Sequence, residues 1–303
     1  MKKELKNILV PVDFHESSMK AVEFAHHLAS QVEGEIFLLH VIETPGLMAD
    51  LFASGDLLVK ITDQSKEKLQ ELSDSIRQKG SGIKVGNRVE RGKPYEKILK
   101  VADEIEARFI ILGEDRQQNG LKRDLGSTVY HVTLKSPVPV LTLKGNATEM
   151  GKKILVPLDL TRETRKQLSS AVVYGMNYNA SIILVSAMIA GMDMEQSLIY
   201  KKLSQAKKVL EENGVDCEMK LFEHSNVPPF NRVLEYADET GADMILVMTH
   251  QEGYTHDNYI GAFAHHIINR SKVPVISLTS SATGSGLNKL IKFLVDPVGW
   301  FKE

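Results

Sequence analysis

One pattern occurs twice in this chain, and that repetition limits what it can fold into more than any other feature. NILVPVDF, from Asn7, returns as KILVPLDL from Lys153. Leu38 of IFLLHV falls on Leu184 of IILVSA at the same spacing. Further along, LGSTVYHVTLKSPVPVLTL from Leu125 matches IGAFAHHIINRSKVPVISL from Ile260 at a shorter spacing. The second copy has therefore lost residues after its second apolar run, where the first carries the turn-rich TPGLMADLFASGDLL. At 303 residues the chain has room for two domains of ordinary size, each with its own core. We read domain one as residues 1–145, domain two as 152–280 and a tail as 281–303. The small polar stretch KGNATEMGK serves as linker.

Within each copy, short β-branched apolar runs alternate with longer amphipathic stretches. In copy one this predicts strands near 6–12, 35–42, 83–90, 108–113 and 138–143, with helices near 16–32, 57–79, 94–107 and 126–135. ILVPV, FIILG and VPVLTL are apolar almost throughout, as strands covered on both faces must be. The fold class is α/β, with two doubly wound, mostly parallel five-stranded sheets in the order 3-2-1-4-5. Right-handed crossovers in that order reverse between strands one and four and open a crevice at their carboxyl ends. Asp13 and Asp159 end the first strands of the two copies, and Gly113 and Met248 end the fourth.

Charge excludes one class of function. Residues 1–150 carry 21 Lys and Arg against 22 Asp and Glu, and the remainder 16 against 17, so neither half offers a basic surface to nucleic acid. The one cysteine, Cys217, has no intrachain partner and suits a reducing compartment. Asp13 interrupts the first apolar stretch before it reaches signal-peptide length. The run Ala180–Met192 falls short of the ~20 residues that span a bilayer. The expectation is a cytoplasmic protein without an integral membrane segment.

The tandem repeat, ILVPVDF, the fourth-strand glycine and GSTVYHVTLKSPVPVLTL together resemble the universal stress protein family in its two-domain form. The resemblance runs from about Lys6 to Leu278. Nucleotide-binding members carry glycine, two residues, glycine, nine residues, glycine, then Ser or Thr. Glycines admit phosphate oxygens close to backbone, and the last one opens a helix whose free N–H groups favour anions. On copy one the pattern falls on Gly113, Arg116, Gly126 and Ser127: the spacing is kept and the middle glycine is replaced. The resemblance also assigns Asp13 to the adenine end of the nucleotide and the Val41 backbone to the base. It implies ATP or AMP, with Mg, as the ligand.

Each of these residues has a plainer alternative. Ser127 can cap its helix with no ligand present. Asp13 can cap the helix near Glu16 or satisfy turn backbone groups. The Arg116 guanidinium can fill the phosphate site, or it can pair with phosphate and replace the lost backbone contact. Lys122 and Arg123 add positive charge to the loop, and Glu114, Asp115 and Asp124 oppose it. Copy two keeps Asp159, but its loop reads Met248, Gln251, Gly261, Ala262, a poor cradle for a triphosphate. Its histidines His250, His256, His265 and His266 lack metal-ligand spacing, and His26–His27 has no third ligand nearby. His40 lies beside the expected base site.

No nucleophile elbow, complete P-loop or acid–base carboxylate pair is present, so no catalytic residue is assigned. The fifth strands, with Pro139 and Pro274 early in them, are sheet edges. By the resemblance they pair within the chain as a pseudo-dimer, and a further homodimer is left open. In the tail, Leu287, Leu290, Ile291 and Leu294 recur at helical spacing ahead of Pro297, Trp300 and Phe301. This stretch can pack on the protein itself or meet a partner. The reading is an adenine-nucleotide-binding sensor or regulator with its site in domain one. A non-nucleotide interaction module and a slow ATP hydrolase are the alternatives.

Overall fold

The computed structural model describes residues 7–32, 34–43, 55–79, 82–114, 125–158, 164–187, 193–222, 227–249 and 261–279. It divides into two compact units, Met1–Glu149 and Met150–Glu303.

In the first unit β1 (Asn7–Pro11), β2 (Glu35–Ile42), β3 (Val85–Arg91), β4 (Phe109–Gly113) and β5 (Val140–Leu143) alternate with four helices. These are α1 (Glu16–Val32), α2 (Gly55–Gln78), α3 (Pro94–Glu104) and α4 (Ser127–Lys135). The strands run parallel in the order β3-β2-β1-β4-β5. Ile8, Leu9 and Val10 of β1 and Ile110 and Ile111 of β4 are wholly buried, because helices cover both faces at the centre of the sheet. On α1, Ala21, Phe24, Ala25, Leu28 and Ala29 recur three or four apart and form its buried face.

The second unit repeats the plan. Here β6 (Lys153–Pro157), β7 (Ser181–Ala187), β8 (Cys217–Phe222), β9 (Met244–Thr249) and β10 (Val275–Thr279) alternate with α5 (Thr164–Tyr178), α6 (Asp193–Glu212), α7 (Pro229–Thr240) and α8 (Ala262–Arg270). Its strands are parallel in the order β8-β7-β6-β9-β10. Part of the length lost in copy two is helical, since α2 has 24 residues and α6 has 20. Cys217 is buried where β8 begins, and burial pushes its thiol up to about 12.

Repeated side-chain arrangements hold corresponding helices together. Tyr95 of α3 stacks on His131 of α4 at 4.4 Å, with the Lys135 ammonium 5.5 Å from the Tyr95 ring. Phe230 of α7 stacks on His266 of α8 at 4.1 Å, with the Arg270 guanidinium 5.0 Å from the Phe230 ring. In each an aromatic ring meets both an imidazole and a cation, at matching places in the repeat. His266, weighed from sequence as a metal ligand, thus has a packing role.

The helix expected over 94–107 stops at Glu104. Glu106 adopts φ 51°, and the Ala107 N–H turns back to the Ala102 carbonyl at 2.7 Å. In the second unit the matching place is Gly241 at φ 65°, and Ala242 N–H reaches the Ala237 carbonyl at 2.9 Å. The same left-handed helix ending is made once with glutamate and once with the residue suited to it.

Candidate functional site

Winding reverses beside β1: the chain crosses to β2 on one side and, after β3, returns to β4 on the other. The carboxyl ends of β1 and β4 are therefore neighbours, and the first turn of α1 meets both Asp13 past β1 and Gly113 at the end of β4. Asp13, exposed, accepts the His15 N–H on Oδ1 at 3.0 Å and donates its own N–H to Ser18 Oγ at 3.3 Å. Ser18 in turn donates to the His15 carbonyl at 3.0 Å. Asp13 thus serves the turn into α1, one of the two roles open from sequence, and does so with Oδ1.

Gly113 lies directly under Ser17. A Cβ at Gly113 would stand 2.1 Å from the Ser17 carbonyl oxygen and 2.7 Å from the Ser18 nitrogen. This glycine is required by the approach of helix backbone, whatever else approaches it.

Val41 sits near the end of β2, paired in register with Glu90. The Leu39 carbonyl accepts the Val12 N–H at 2.8 Å, on the β1 side, and the Ile42 carbonyl accepts the Gly92 N–H at 3.1 Å, on the β3 side. Strand backbone alternates sides, so Val41 directs its polar groups the same way as Leu39, beyond the last β1–β2 pair at Pro11 and Leu39. That direction is the crevice. Beside it, His40 Nδ1 lies 2.7 Å from the Val12 carbonyl oxygen and must carry the proton it donates. Phe14, at φ 65°, sets its ring 4.8 Å from that of His40, and the Lys68 ammonium of α2 lies 5.9 Å from the Phe14 ring. Nothing in the local sequence around Phe14 or Lys68 signals this grouping.

Gly126, not Ser127, is the N-cap of α4, and among the described residues no side-chain cap is made at this end. The Gly126 carbonyl accepts the Tyr130 N–H at 2.9 Å, and a Cβ at Gly126 would meet nothing within 4 Å. Ser127 is the first helical residue, so the plain reading in which it caps the helix does not hold. Arg116, with Asp115, Lys122, Arg123 and Asp124, lies outside the described residues. Glu114 is paired with Lys144 at 2.9 Å, with side chains 8% and 2% exposed. Its charge meets a buried ammonium from the end of β5.

In the second unit Asp159, His250, Gln251 and His256 lie outside the described residues. Met248 is buried where Gly113 stands in the first unit, and Gly261 opens α8, again without a side-chain cap. His265 and His266 lie edge to face, 5.8 Å apart.

A model of the universal stress protein family matches residues 4–144 and, a second time, residues 150–278. The chain belongs to the universal stress protein family. Its relatives include the universal stress protein MJ0577 of Methanocaldococcus jannaschii, 28% identical over a segment covering 46% of this chain and 94% of that protein. The universal stress protein YxiE of Bacillus subtilis is 28% identical over 45% of this chain and 97% of its own. Among solved structures, a universal stress protein from Archaeoglobus fulgidus matches with a TM-score of 0.74, covering 91% of this chain and 99% of that one at 21% identity. That likeness is one of fold, and it extends over both family domains. In this universal stress protein the sequence-matched residues Asp13, Val41, Gly113, Gly126 and Ser127 all fall at the carboxyl end of one sheet.

Proposed function

We propose that this universal stress protein binds an adenine nucleotide at the switch point of its first unit and acts as a sensor or regulator through conformation or partners. The observation that carries the reading is the start of α4. It opens on a glycine, and among the described residues that glycine has free space above it and no side-chain cap, which leaves the first helical N–H groups to an anion. A phosphate group fits that end, with the Ser127 hydroxyl beside it. The base would lie toward Asp13 and the outward polar groups of Val41. Arg116 decides the strength of the site, either as a plug or as a phosphate ligand. Mg would accompany a triphosphate and screen its charge. A cytoplasmic location fits the lone, buried Cys217, and among the described residues no helix is long and apolar enough to cross a membrane.

Calorimetric titration with ATP and Mg tests the reading, and heat with one-site stoichiometry is expected. Absence of heat at millimolar nucleotide would favour a fold kept for docking, a reading that draws on the structural roles of Asp13 and Gly113. Phosphate released during long incubation would add slow hydrolysis.

A further inference from the structure

The switch point of the second unit holds a cavity of about 280 Å³. It lies where Leu158 leaves β6, Ser186 and Ala187 end β7, Met248 nears the end of β9 and Gly261 opens α8. Its position in the unit is therefore that of the crevice proposed for nucleotide in the first. Its chemistry is different. The wall is mostly aliphatic and aromatic, with Val185, Val233, Val247 and Phe263 among its members, and no charged side chain lines it among the described residues. Met248 puts an apolar side chain at the strand position that Gly113 leaves bare in the first unit. Among the described residues, a polyphosphate would find one uncapped helix end and no counter-charge on these walls.

Two polar groups break the apolar lining. Gln167, 2% exposed, donates from Nε2 to the carbonyls of Pro157 and Leu246, each at 2.9 Å. Both amide protons are spent there, which leaves its oxygen to accept. Ser186, 7% exposed as a residue, adds a hydroxyl. The size is informative as well. An apolar cavity of roughly 150 Å³ stays dry and accepts benzene, so this one has room for a two-ring molecule. Water gains few partners on such walls, whereas an apolar ligand with one hydrogen-bonding group satisfies both parts of the lining.

We propose that the second unit binds a small, uncharged, mainly apolar molecule bearing a hydrogen-bond donor such as a hydroxyl. The tandem chain then carries two switch-point sites of different chemistry, and this one stands whether or not the first unit binds nucleotide.

The test uses the full chain labelled with ¹³C on its methionine methyl groups, with 2-naphthol as probe. Met248, assigned by loss of its signal in Met248→Leu, is expected to shift saturably with one-site stoichiometry, and naphthalene should bind several-fold more weakly than 2-naphthol. Ala187→Phe, which fills the mouth at the end of β7, should weaken 2-naphthol binding tenfold or more without lowering the melting temperature. Should that variant not fold, the Met248 signal of the wild type decides. A Met248 signal unmoved up to the solubility limit of the probe overturns the proposal. So does a Met248 shift produced by ATP and Mg but not by 2-naphthol.

Discussion

The Gly113 Cα hydrogen faces the Ser17 carbonyl oxygen so closely that a Cβ there would stand 2.1 Å from it. A glycine matched by sequence to a phosphate cradle is thus also the point where α1 rests on the end of β4. The clash is with backbone, which cannot rotate out of the way as a side chain can.

Gly113→Ala is accordingly expected to destabilise the first unit by about 1–3 kcal/mol, the usual range for overpacking. Urea unfolding without nucleotide measures this loss. Unchanged stability would mean that α1 shifts without cost and that the close approach is incidental.

Glu106 and Gly241 provide an internal comparison at the same helix ending. Glu106 is exposed, so removing its side chain uncovers nothing, while a left-handed non-glycine residue carries steric strain. Glu106→Gly is expected to raise stability by about 0.5–1 kcal/mol, and Gly241→Glu to lower it by a similar amount. Thermal unfolding of the two variants checks the pair, and a loss of stability in Glu106→Gly would contradict the strain.

Glu114 and Lys144 form a buried ion pair in the first unit, and the matching places in the second are the buried threonines Thr249 and Thr279. Neutralising one partner removes a 2.9 Å contact between two charges held out of solvent. Glu114→Gln and Lys144→Met should each cost about 3–5 kcal/mol. Glu114→Thr combined with Lys144→Thr, the solution found in the second unit, should cost less than its two single changes summed, by about 1–3 kcal/mol. A double-mutant cycle measures that coupling, and strict additivity would show the pair to be energetically independent.

The fold was legible because its signals are local and occur twice. Apolar runs such as FIILG identify central strands on their own, and the two matched spacings locate the copies, so strand order and the carboxyl-end positions of Asp13, Gly113 and Gly126 came with them. The features that could not be read depend on contacts distant in sequence. The partner of Gly113 is a backbone oxygen, which leaves no mark in the residue type of Ser17. Glu114 looked like one negative charge among several in its loop until β5 brought Lys144 to it. The stacking of His131 and His266 needs a ring from the preceding helix, a pairing that the residues beside either histidine do not suggest. The cavity of the second unit draws its walls from several elements, each of which reads alone as ordinary core. The loss of two cradle glycines there read as decay, although the same change to Met248 also makes the crevice apolar.

Gly126 offers the most direct test of nucleotide binding in the first unit. Its φ of −59° suits any residue, and among the described residues a Cβ there meets nothing within 4 Å, so Gly126→Ser is expected to leave the unliganded fold undisturbed. The new hydroxyl would cap the N–H groups that a phosphate needs. Titration of the wild type and Gly126→Ser with ATP and Mg should show binding in the first and at least a tenfold loss in the second, with equal or higher thermal stability. Equal affinity in the two proteins would contradict a phosphate site at the start of α4.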